Sequence, residues 1–137
     1  MEIEINSSRI IKEIQDEINQ KFPYLKLQFF GLSSVATNLF SKENRIECNS
    51  QTLGEQYVIN HPGVVNVNGN TKVETLENQF LDEFNIPVQL YRKSGNIWLQ
   101  TIETNHWTLS EQNRDGEGMD RIVEEPKEDF DQFREQR

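Results

Sequence analysis

A pattern of apolar residues recurs along this chain at an offset of 62 positions, and that recurrence restricts what the chain can fold into. Ile3 and Ile5 match Val65 and Val67, and Ile11, Ile14, Ile18 and Phe22 match Val73, Leu76, Phe80 and Phe84. Each copy starts with period-two alternation, continues with apolar residues three and four apart, and returns to alternation. Those periods belong to a strand, a helix with one buried stripe, and a second strand. Leu25, Leu27 and Phe29 match Ile86, Val88 and Leu90 at an offset of 61, so one residue is missing from the second helix-to-strand turn. Two such βαβ units can share one sheet.

The pattern therefore predicts an α+β fold. Its sheet is mostly antiparallel and ferredoxin-like, with two helices on one face. Short alternating strands suit a sheet with one wet face, which favours antiparallel pairing. Ser8 is positioned to cap the first helix, and Thr71 with Glu74 has capping-box spacing before the second. Pro23 closes the first helix. Ser94, Gly95 and Asn96 separate two alternating runs, so Val88–Arg92 pairs with Ile97–Thr101 as a hairpin that adds a further strand. Thr108 and Glu111 open a short C-terminal helix. In the middle, Thr52 and Glu55 repeat the capping-box spacing before a short helix or irregular connection, and Arg45–Cys48 reads as a short edge strand. Residues 1–113 form one domain, with units at about 2–30 and 64–92.

Residues 114–137 read differently. They hold nine acids and five bases, with sparse apolar residues and Gly116, Gly118 and Pro126. Such a segment cannot bury enough surface to pack, so it reads as an acidic mobile tail with a transient helix around Asp129–Arg134. The whole chain has 137 residues, a net charge of -9 and a mean hydropathy of -0.75. Phosphate backbones are bound by clustered Lys and Arg, so this charge disfavours nucleic acid. Lys12, Lys21 and Lys26 come nearest to a cluster and are interleaved with acids. No apolar run approaches the roughly 20 residues that cross a bilayer, and no leader pattern precedes Asn6. One cysteine, Cys48, gives no disulfide framework. The expectation is a cytoplasmic protein without membrane contact.

The stretch FNIPVQLYRKSGNIWLQT at 84–101, followed by NHWTLSEQN at 105–113, resembles the C-terminal part of an uncharacterised family of small bacterial proteins. The resemblance covers about a quarter of the chain. It implies no activity and transfers no catalytic residue.

The P-loop, dinucleotide-binding, zinc-protease, CxxC and nucleophile-elbow patterns are all missing. Cys48 with His61 or His106 has the residue types of a nucleophile–base pair, yet the three lie singly and read as loop or surface residues. Asn113, Asp115, Glu117, Gly118 and Glu124 fall on positions of a calcium loop. An Asn at the first position, Asp120 at the packing position and Pro126 in the exit helix argue against a real site. Neither a metal nor a cofactor is implied. Trp98 reads as filling a sheet face and Trp107 as a staple beneath the last helix.

What remains is a non-catalytic module that binds a protein partner or itself. Aromatics and Arg favour interfaces, and a loop at the end of a rigid sheet can be held for binding. Tyr91, Arg92 and Trp107, with His106, are the candidate binding residues, on the turn side of the hairpin. The alternative is a small-molecule site or enzyme near His106, between the sheet and the C-terminal helix.

Overall fold

Alternation and helical periodicity become the elements they specify. The computed structural model describes residues 1–32 and 39–124. The first half holds strand β1 (Glu2–Ile5), helix α1 (Ile11–Lys21), strand β2 (Leu25–Phe29), a 3-10 turn (Lys42–Asn44) and the one-turn helix α2 (Leu53–Gln56). The second holds β3 (Gly63–Asn66), α3 (Val73–Phe84), β4 (Val88–Ser94), β5 (Ile97–Gln100) and α4 (Leu109–Glu124). The fold is α+β. No helix among the described residues is long and apolar enough to cross a membrane.

The strands form two antiparallel sheets, not the single ferredoxin-like sheet that the pattern suggests. β1 pairs with β3, and β2 pairs with β4, which carries β5 on its other edge. Periodicity fixes which face of a strand is buried but not which strand lies beside it. Each sheet thus joins strands of both halves, and the second half supplies two of the three strands in the larger one. In each pairing of the two halves one pair of equated positions lies face to face, Ile3 opposite Val65 and Gln28 opposite Gln89.

The helix stripes point inward as predicted. Ile11, Ile14 and Ile18 of α1 and Val73, Leu76, Phe80 and Phe84 of α3 are buried. They meet Leu25, Leu27, Phe29, Val88 and Leu90 in one core, where the Phe29 and Phe80 rings pack edge to face at 5.9 Å.

The helix starts differ from the predicted caps. Neither α1 nor α3 has a side-chain cap, and their N-cap residues are Ile10 and Lys72. A helix start leaves orphan amides, and here the carbonyls of a distant loop take them. Ile11 N donates to Gln51 O at 3.0 Å and Lys12 N to Asn49 O at 2.9 Å. In the second half Val73 N donates to Trp107 O at 3.0 Å and Glu74 N to Asn105 O at 2.9 Å. Leu53 N bonds back to Arg9 O and Leu109 N to Thr71 O, each at 2.8 Å.

The loops that do this carry one motif twice. Asn49, Thr52, Leu53, Glu55 and Gln56 recur as Asn105, Thr108, Leu109, Glu111 and Gln112, at an offset of 56. In both, the Thr hydroxyl accepts from the Glu amide at 3.2 Å while the Glu carboxylate accepts from the Thr amide. These two capping boxes stand where predicted.

Two further expectations change. Arg45–Cys48 forms no strand; a single bridge joins Arg45 to Phe30, and Ile46 N donates to Phe29 O at 3.0 Å. The chain does not leave the fold at Asn113. α4 runs on to Glu124, and the approach at Gly116 is so close that a Cβ there would lie 2.7 Å from Tyr24 Cβ. The positions read as a calcium loop are thus helical, with their ends about 16 Å apart at helical rise. The rest of the predicted tail, 125–137, lies outside the described residues.

Candidate functional site

The hairpin turns through Gly95, at φ 63°, and Asn96. Side chains along β4 alternate between its two faces, and this divides the predicted binding residues. Val88, Leu90, Arg92 and Ser94 face the helices; Gln89, Tyr91 and Lys93 face the other way.

Arg92 is not a surface contact. It is 3% exposed, because β4 is the central strand and α4 lies against it. Its Nη1 donates to Gln112 Oε1 at 2.7 Å, its Nε lies 3.3 Å from Asp115 Oδ2, and its guanidinium sits 5.9 Å from the Trp107 ring centre. Arg92 thus fastens α4 to the sheet. Trp107, half-buried, is part of the same clamp. His106 is exposed in the turn before α4.

The other ligand-type residues do not gather. Cys48 is exposed with its Sγ 3.5 Å from Ser50 Oγ, and His61 stacks on Phe84 at 5.7 Å. Among the described residues, no group of three His, Cys, Asp or Glu side chains is placed to hold a metal.

Tyr91 is also buried, at 6%, but on the opposite face, and that face has a different character. Register puts Lys26 beside Tyr91 and Tyr91 beside Gln100, with Gln28 beside Gln89 and Lys93 beside Trp98. Arg45 arrives from the segment after the 3-10 turn and lays its guanidinium 5.9 Å from the Tyr91 ring centre. Gln100 Nε2 donates to Gln89 Oε1 at 2.9 Å and to the Tyr91 hydroxyl at 3.3 Å. Lys26 reaches across β4 until its Nζ is 5.9 Å from the Trp98 ring centre. Trp98 is 36% exposed and so is not a core residue, because β5 is an edge strand.

This face holds three cations, two aromatics and three glutamines, and its strand positions contain no acid. The ion pairs among the described residues join Arg9 to Glu17, Lys12 to Asp16 and Arg92 to Asp115. Lys26, Arg45 and Lys93 take part in none of them. The buried Nε of Arg45 has no hydrogen-bond partner. The Arg45 guanidinium beside an aromatic ring, the Lys26 ammonium beside an indole and Lys93 across from that indole in the ladder are suited to hold carboxylate or another anion.

One carboxyl elsewhere is strongly perturbed. Burial raises the Glu77 pKa from 4.5 to about 7, against a lowering hydrogen bond from Leu90 N at 2.9 Å and a further raising effect of Glu74. At the matching position of α1 stands Gln15, whose amide donates to Leu27 O at 2.8 Å without carrying charge. In the unfolded chain Glu77 titrates at its ordinary value, so between pH 4.5 and 7 the folded state holds the extra proton. The stability this contributes is complete below pH 4.5 and is lost as pH rises through 7. Glu77→Gln is therefore expected to gain on the parent by about 1–3 kcal/mol between acid and mildly alkaline pH. Urea melts of both proteins at the two pH values check this; an unchanged difference would mean that Glu77 is hydrated.

Comparison with protein-family models, with curated proteins and with solved structures returns no match.

Proposed function

We propose that this chain is a non-catalytic binding module that takes an anionic partner on the face formed by Lys26, Arg45, Lys93 and Trp98. One observation carries the reading. In a chain of net charge -9, three cations with no ion pair among the described residues share one sheet face with an exposed tryptophan. Elsewhere the protein repels anions; here it presents unneutralised positive charge on a rigid support.

The stretch that resembles the small bacterial family supplies Tyr91, Lys93 and Trp98 to this face, which fits the same reading. We also read the two halves as copies of one unit, a view supported by their matching hydrogen bonds. Among the described residues, a hairpin strand follows β4 and none follows β2, and that strand brings Trp98 beside Lys26.

Titration with poly-L-glutamate, followed by amide NMR, tests the reading. The Lys26 and Lys93 amides and the Trp98 indole N–H should shift together and saturate, with an affinity that falls as salt rises. The double variant Lys26→Glu, Lys93→Glu should bind at least about tenfold more weakly. Shifts confined to other faces, or equal binding by the double variant, would refute it.

A further inference from the structure

Building on that reading, we propose that the occupant is an extended acidic segment of a partner protein, which adds to β5 as a fourth strand. Its acidic and apolar residues alternate.

Among the described residues, no strand pairs with the outer edge of β5. Lys93 N donates to Tyr24 O at 2.9 Å, so the backbone groups of Lys93 face β2. Antiparallel alternation then turns those of Arg92 and Ser94 toward β5, where they meet Leu99 and Ile97. The N–H and C=O groups of Trp98 and Gln100 consequently face outward. Natural edge strands are blunted by charge, proline or a bulge. Ile97-Trp98-Leu99-Gln100 has no charged residue and no proline, and its register to β4 is unbroken.

Charge and burial specify the incoming side chains. A strand beside β5 sends alternate residues to each face. Those on the Trp98 and Gln100 side meet the ammonium groups of Lys93, directly opposite Trp98, and Lys26, which stretches over β4 to the same indole. Acids are favoured there. Those on the other side meet Ile97, which is 52% exposed, and Leu99, so apolar residues are favoured. β-addition gains affinity from main-chain hydrogen bonds and specificity from such alternate pockets. A second copy of this chain fits poorly, since pairing β5 with β5 brings the lysines of both copies together. The chain's own Asp129-Phe130-Asp131 has the same alternation over three residues and is the competitor to separate.

The full chain is titrated with the synthetic peptide acetyl-Glu-Ile-Glu-Val-Glu-Ile-amide and with a peptide of the same composition in which the acids are grouped. The alternating peptide should slow amide exchange at Trp98 and Gln100 by roughly tenfold or more, and the grouped one should bind at least about tenfold more weakly. Lys26→Glu with Lys93→Glu should remove the difference. If polyglutamate still shifts the Lys26–Lys93 face but both peptides act alike and leave Trp98 and Gln100 exchange unchanged, strand addition is wrong while the anionic face stands. If polyglutamate too gives no response on that face, both proposals fall. A peptide-free dimer in sedimentation with those amides already protected would make a second copy the occupant. Loss of protection in peptide-free Asp129→Lys, Asp131→Lys would make it the chain's own segment. Either result overturns the proposal.

Discussion

Arg92→Ala is expected to destabilise the protein by about 3–5 kcal/mol, the range for breaking a buried charge pair from one side. The guanidinium is almost wholly removed from water, so its partners rely on it. Gln112 is fully buried, and its carbonyl oxygen accepts from Arg92 while its amide donates to the Thr104 carbonyl at 2.8 Å. Removing the arginine leaves that oxygen with no replacement from water, costing about 1–3 kcal/mol. It also leaves Asp115 facing a gap beneath Trp107. Urea melts followed by far-UV circular dichroism measure the loss. A change under about 1 kcal/mol would show that α4 is held by something other than this clamp.

Phe80→Ala should cost a similar amount, about 3–5 kcal/mol, for a different reason. The ring is fully buried and meets Phe29 edge to face, at the point where the α3 stripe meets β2. Truncation removes a large apolar side chain and leaves a cavity that close-packed neighbours fill only in part. Glu13→Ala, on the exposed side of α1, serves as the comparison and should stay within about 0.5 kcal/mol. Equal denaturant midpoints for the two variants would mean that the helix faces are assigned wrongly.

Much of this was legible in the sequence, and the remainder has physical causes. Stripes such as Val73–Leu76–Phe80–Phe84 bury a helix face whatever lies opposite, so periodicity located α1 and α3. It was blind to pairing, because Leu27 reads as inward-facing beside any neighbour. Ser8 and Thr71 read as caps from local spacing, yet Asn49 and Gln51, Asn105 and Trp107 provide the carbonyls through tertiary structure. The motif shared by 49–56 and 105–112 was readable, but its offset of 56 differs from the 62 of the helices, so a search at one period passes over it. Gly116 and Gly118 lower helix propensity, and that argued for a tail at Asn113. The Arg92 clamp and the close approach at Gly116 override it.

The proposed binding face was half legible. Alternation in Leu25-Lys26-Leu27 and Tyr91-Arg92-Lys93 tells which residues share a parity. It assigns Lys26 and Lys93 to one side once the strands are known to pair. Arg45 could not be found this way, since it comes from an irregular segment fixed by one bridge to Phe30.

That each sheet joins strands of both halves also governs how the chain can be made. As synthesis proceeds, β1 and β2 emerge before β3 and β4 exist, and neither can satisfy its open edge within the first half. The nascent N-terminal half therefore waits with two unpaired strands, each with one apolar face, which are templates for pairing with other chains. Its protection has to come from speed or from chaperones until the second half arrives. Neither half can be inherited, exchanged or expressed as a free-standing part, because the sheets belong to the pair.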